Sequence, residues 1–150
     1  MKAGPVVCGR RGVWVCVPIG PEQVSRMAAM PNAQDWPDEL DALHAAPRYH
    51  TLLFENELVR VLHTSVPPQE TVPLHTHRWP AALYILSWSH FVRRDAEGSL
   101  MADSRLVGRP SEGIALWSGP LLPHTLENVG DSELRVISVE LKSADAPIPS

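Results

Sequence analysis

Three imidazoles in this chain are spaced to share one ion: His75 and His77 flank Thr76, and His124 follows Pro123 in a segment that ends at Asn128. In an extended strand successive side chains leave opposite faces, so histidines two apart project together and a third from another strand completes the set. Three neutral imidazoles hold a divalent ion with a position left open, as in catalytic zinc sites. Imidazole does not discriminate sharply among metals. The expected cofactor is therefore one divalent transition metal, Fe, Zn, Ni, Cu or Mn, held by His75, His77 and His124. The alternative is that these histidines are core residues satisfied by other partners. His44, His50, His63 and His90 have no paired spacing, are read as surface or strand residues, and are given no role.

Such a site needs strands, and from residue 49 onward the sequence supplies them. Residues 49–54, 59–66, 72–77, 83–88, 91–94, 100–105, 114–117, 124–128 and 134–141 are rich in Val, Leu, Ile, Thr and aromatics. Asn56, Pro67-Pro68, Gly119-Pro120 and Gly130-Asp131 punctuate them as turn signals. Closely spaced short strands of this kind predict an all-β barrel or sandwich. Residues 37–46 differ: Asp38, Glu39 and Asp41 come early, Leu40, Leu43 and His44 recur at helical spacing, and Pro47 stops the run, which predicts a short helix on the outside of a barrel. Residues 1–37 show neither period and are expected to form an irregular arm. The organisation read from the sequence is thus an irregular arm with a short helix over 1–47, a barrel over 48–142 and a tail over 143–150.

These residues resemble the cupin family. Its first motif, a glycine followed by His-x-His, a glutamate and a second glycine, is matched by His75 and His77, and its second by Gly113, His124 and Asn128. The resemblance implies a double-stranded β-helix, or jelly-roll, barrel. The departures are as informative. Gln69 stands at the first glycine, Ala81 or Ala82 at the glutamate, Trp88 or Ser89 at the closing glycine, and Gly119 and Leu121 replace a Pro and a Gly of the second motif. Without the glutamate the ligand set contributes no negative charge, so a bound divalent ion stays more electrophilic and favours a carboxylate, thiolate or enolate. A three-histidine set is similar to that of the thiol dioxygenases, which makes a dioxygenase-type oxidation the first reaction implied. The family also implies a homodimer.

The remaining residues frame the ligand. Trp79, Tyr84, Trp88 and Trp117 lie in or beside the motifs and are expected either to line the pocket or to serve as ordinary core. Arg60, Arg93, Arg94 and Arg105 fall on strands, where a guanidinium either grips a substrate carboxylate or rests on a solvated face, the expected position. No general base is evident, so the catalytic residues are left unassigned. The net charge of −4 gives no basic footprint for nucleic acid. The best apolar run, residues 13–19, is too short to span a membrane. The Arg10-Arg11 pair before it falls short of an export signal. Cys8 and Cys16 match no zinc spacing and read as free thiols of a reducing compartment. The expectation is a cytoplasmic single-domain barrel that binds a small organic acid or related metabolite and acts on it through a metal. Its alternative is a non-catalytic binding or sensory barrel without metal.

Overall fold

Each of the nine β-rich segments forms a strand. The computed structural model describes residues 33–106, 108 and 112–142, together with the backbone of 6–11 and 13–18. In the latter, β1 (Val6–Arg11) pairs antiparallel with β2 (Val13–Pro18), so a hairpin stands where the sequence predicts irregular chain. Val13, Val15 and Val17 alternate along β2, a strand period too brief to register against the flanking Gly and Pro. The hairpin falls in a unit of its own, residues 1–32, and the barrel in a second, 33–150. The state of the Cys8 and Cys16 thiols and the predicted tail over 143–150 lie outside the described residues.

The second unit opens with 3-10 turns at Ala33–Asp35 and Asp38–Leu40, followed by the helix α1 (Ala42–Ala45). Asp41 caps α1, its side chain accepting from the Leu43 N–H at 3.1 Å. Nine strands follow among the described residues: β3 (His50–Glu55), β4 (Val59–Val66), β5 (Thr71–His77), β6 (Ala81–Ser87), β7 (Phe91–Asp95), β8 (Leu100–Asp103), β9 (Ala115–Ser118), β10 (Leu121–Asn128) and β11 (Leu134–Leu141). They form two antiparallel sheets, of order β5-β10-β7-β8 and β3-β4-β11-β6-β9. Among the described residues no helix is long and apolar enough to cross a membrane.

Alternation decides what faces inward. Val66, Val72, Ile85, Trp88, Leu126 and Leu134 are buried and form the apolar core with Ala46 and Tyr49. Removing each large aliphatic side chain from water contributes about 1.5–3 kcal/mol. On the other face of the five-stranded sheet the register aligns Phe54, Val61, Val139, Ala82 and Trp117 in one row across all five strands. Phe54 and Trp117 at its ends are exposed.

Two turns carry motif positions. Gly113 takes a positive φ of 76°, which the second motif's first glycine permits without strain. Gln69, at the first motif's glycine place, also lies in the left-handed region at φ 64°. A non-glycine residue thus takes a conformation that glycine adopts most readily.

Candidate metal centre

β5 places His75 and His77 on one face, and β10 brings His124 directly opposite His75. Partners across an antiparallel ladder share a face. Their rings accordingly stand 4.3 Å apart by centroid, and His77 lies 5.2 Å from His75 and 6.0 Å from His124. The ladder between β5 and β10 shifts register between Leu121 and His124. This irregularity, at Leu122-Pro123, sets which β10 side chain meets His75.

A fourth imidazole joins them. His50, given no role from the sequence, is buried at the start of β3, 4.9 Å from His75 and 5.3 Å from His77 by ring centroid. His50, His75 and His77 each offer a ring nitrogen within 4.8 Å of the others. Its role was not legible because no short spacing links it to the motifs. The signal available was position alone, directly after the helix that contacts β5.

All four rings are oriented in the same way. Nδ1–H of His75 donates to the Pro73 carbonyl at 2.8 Å, and that of His124 to the Leu122 carbonyl at 2.6 Å, each two residues back. Nδ1–H of His50 donates to the Ala46 carbonyl at 3.1 Å, and that of His77 to Oε1 of Glu140 at 2.8 Å. An acceptor at Nδ1 fixes the tautomer and leaves the Nε2 lone pair for the cavity, as in metal-binding histidines. Burial disfavours the charged form of three of these rings: it pushes His50 down to about 4 and His124 down to about 3, and holds His75 well below the usual imidazole range. The charge of Arg93 adds to this at His124. Ring-nitrogen donors held by fixed partners suit a divalent ion of the zinc, copper, iron or nickel kind.

The missing motif glutamate has a counterpart. Ala81 is buried and lines the cavity, and its direct partner across the β6–β11 ladder is Glu140. Glu140 is fully buried and accepts from His77 through Oε1 and from Arg60 Nε through Oε2 at 2.6 Å. The Arg60 guanidinium donates its other two nitrogens to Asp41 at 3.0 and 2.9 Å. Burial opposes the charge on Glu140, yet hydrogen bonds from His77 and Arg60 hold its pKa below the usual carboxylate range. The capping residue of α1 is thereby wired to a ring of the site. Its helix serves the site as well as covering the barrel.

The cavity enclosed by the two sheets measures about 150 Å³. Trp79 and Trp88 line it; Trp79 also stacks on the Arg60 guanidinium, 4.6 Å from the ring centroid. Tyr84 and Trp117 do not line it and are exposed. Regular alternation on β6 turns Leu83 and Ile85 inward and Tyr84 outward, while on β9 it turns Leu116 and Ser118 inward and Trp117 outward. The four arginines also separate: Arg94 and Arg105 bond near the surface to the Gly98 carbonyl and Asp103, Arg60 is saturated by carboxylates, and Arg93 lines the cavity. Asn128, the last motif residue, is structural. Its amide donates to the Val66 and Ser132 carbonyls, and its oxygen accepts from Ser89 and the Gly130 N–H.

No protein-family model and no curated protein matches this chain. Solved structures do. A cupin domain from Bordetella pertussis Tohama I is 20% identical, with 63% of this chain and 92% of that one covered and a TM-score of 0.51. An RmlC-like cupin family protein with a double-stranded β-helix fold from Methanocaldococcus jannaschii is 16% identical over 61% and 77% of the two chains, at TM-score 0.45. The polyketide cyclase RemF from Streptomyces resistomycificus is 15% identical over 78% and 81%, also at 0.45. At these identities the likeness speaks to fold alone.

Proposed function

We propose that this chain, a cupin by fold, binds one divalent transition metal through His75, His77 and His124, with His50 as a fourth donor, and handles a small organic acid or related metabolite there. The observation that carries the reading is that all four imidazoles have Nδ1 engaged by a backbone carbonyl or the Glu140 carboxylate, so that Nε2 is the ring nitrogen left for a ligand. A core histidine needs only a partner. Four that share one orientation around one cavity answer to a common ligand.

A bound ion would supply a Lewis-acid centre for polarising a substrate or handling oxygen or water. The protein's own part is positional. The Pro73, Leu122 and Ala46 carbonyls and the Glu140 carboxylate hold the Nδ1 side of the rings, and largely apolar walls surround the cavity. A dioxygenase-type oxidation is the first reaction to test. Glu140 is the one carboxylate on the described cavity wall, and both its oxygens are engaged, so no side-chain carboxylate there is free to act as a general base. That observation favours, as second reading, a binding or sensory barrel without turnover. We place the protein in the cytoplasm and pair it as a homodimer, the exposed ends of the apolar row at Phe54 and Trp117 supporting self-association; sedimentation equilibrium tests the pairing.

Elemental analysis of protein purified without chelators tests the centre. Near-stoichiometric metal is expected in the wild type, with loss in His124→Ala. Weakened metal affinity is also expected in His50→Ala. Unchanged metal in His124→Ala overturns the ligand assignment. Oxygen uptake during a screen of small acids separates the catalytic reading from the binding one.

A further inference from the structure

We propose that the cavity wall at Trp88 and Arg93 seats the anionic head of the ligand, its carboxylate accepting hydrogen bonds from the Arg93 guanidinium and the Trp88 indole N–H. This names the ligand class of the site described above and uses its cavity, but it does not need the metal.

The first observation is unmet hydrogen bonding. Among the described residues four buried side-chain polar atoms have no partner, and two of them, Trp88 Nε1 and Arg93 Nε, belong to residues lining the cavity. Both are donors. Buried donors are nearly always given an acceptor, so two unmet donors on residues lining one cavity call for a ligand that brings acceptors. The two side chains flank the same ring: Trp88 meets Phe91 edge-on with centroids 5.6 Å apart, and the Arg93 guanidinium stands 5.5 Å from the Phe91 centroid.

The second observation is charge. Buried Arg60 has two carboxylates for partners; half-buried Arg93, which lines the cavity, has none among the described residues. Glu140 does not neutralise Arg93, since it is already committed to Arg60 and His77. Arg93 lies diagonally across the β7–β10 ladder from His124, on the cavity face, close enough for its charge to add to burial in keeping that imidazole neutral. An anion seated at Arg93 therefore lies beside the histidine cluster. The rest of the wall is largely apolar, with Leu116, Leu121 and Val136 among its residues. An apolar cavity of about 150 Å³ admits a benzene-sized body. The ligand is accordingly a compact monoacid with an apolar body.

Isothermal titration calorimetry on the full-length protein, as purified and after chelator treatment, tests this with benzoate and propionate against benzamide and propionamide. Each acid is expected to bind about 10- to 100-fold more tightly than its amide, the range set by charge-assisted hydrogen bonds. Arg93→Met removes that preference, Arg93→Lys keeps part of it, and Trp88→Phe weakens the acids several-fold while sparing the amides. Equal binding of acid and amide by the wild type, failure of both acids to bind, or a preference that survives Arg93→Met overturns the proposal; the wild-type comparison stands even if a variant fails to fold. Metal content is measured alongside. Acid preference without metal binding sinks only the metal centre, whereas metal binding without acid preference sinks only the anion seat.

Discussion

Replacing Glu140 by Gln probes whether the buried carboxylate governs the state of His77. In the native arrangement Oε1 accepts from His77 Nδ1–H at 2.8 Å and Oε2 from Arg60 Nε–H at 2.6 Å, with Glu140 fully buried. An amide presents one oxygen and one NH2, so it can accept from only one of these donors. If its oxygen serves Arg60, its NH2 faces His77, whose favourable tautomer becomes Nε2–H and removes the lone pair from the cavity. If it serves His77, a buried guanidinium N–H loses its acceptor. Removing one partner of a buried pair costs about 3–5 kcal/mol. Arg60 keeps both bonds to Asp41, which places the expected loss at the lower end, about 3 kcal/mol. With a urea dependence of about 1–3 kcal/mol per molar, the unfolding midpoint of metal-free protein should fall by about 1–3 M. Metal affinity should weaken about 10- to 100-fold, the usual consequence of losing the partner that orients a ligand histidine. Equilibrium unfolding followed by fluorescence gives the first quantity and competition with a chromophoric chelator the second. Wild-type metal affinity in Glu140→Gln would refute the claim that this carboxylate sets the His77 tautomer.

Acid should destabilise the metal-free protein well above the carboxylate range. Unfolded histidine titrates near 6.5, whereas folded His50 and His124 are pushed down to about 4 and about 3 by burial, so between those values the unfolded chain holds more protons and stability falls as pH falls. The slope is about 1.4 kcal/mol per pH unit for each histidine below about pH 6; urea midpoints that stay level from pH 7 to pH 5 would contradict it. Glu140 and Asp41, both with lowered pKa, lose their contribution on further acidification, in the same direction. Asn128→Ala removes four hydrogen bonds of a fully buried side chain, which tie the β10–β11 turn to Val66 and Ser89, and should cost about 3 kcal/mol in chemical denaturation without altering metal stoichiometry. At Gln69, where φ is 64°, substitution by Val should cost about 1–2 kcal/mol, while Gly should leave stability within about 1 kcal/mol of wild type. Equal stability of the two variants would show that this conformation imposes no requirement.

The strands were legible because they rest on local spacing, as does the shared face of His75 and His77, whereas His124 entered only through likeness to the second motif of the family. A period of two reads directly as a face, and turn residues mark where it restarts. His50 and Glu140 were not legible, since they reach the site through pairings between segments distant in sequence. Nothing around Glu140 distinguishes it from a surface glutamate until β11 is placed between β4 and β6. Tyr84, expected to line the pocket or join the core, faces outward because alternation runs unbroken along β6. The arginines illustrate the same limit. All four sit on or beside strands, and only the sheet arrangement separates the cavity-facing Arg93 from the saturated Arg60 and the exposed Arg94.

The register shift at Leu122-Pro123 makes the centre unusually sensitive to insertions and deletions. Loops of a barrel absorb changes in chain length at the surface, but here a single residue separates two arrangements of one strand. Deleting Leu122 and Pro123 together would leave every histidine in the chain. If the pairing of Leu121 with His77 holds, however, His124 would then stand opposite Thr76 and its imidazole would turn to the other face. Relatives that differ only by length at this point would share a fold and a composition while one carries a centre and the other does not. A histidine count alone would not tell them apart.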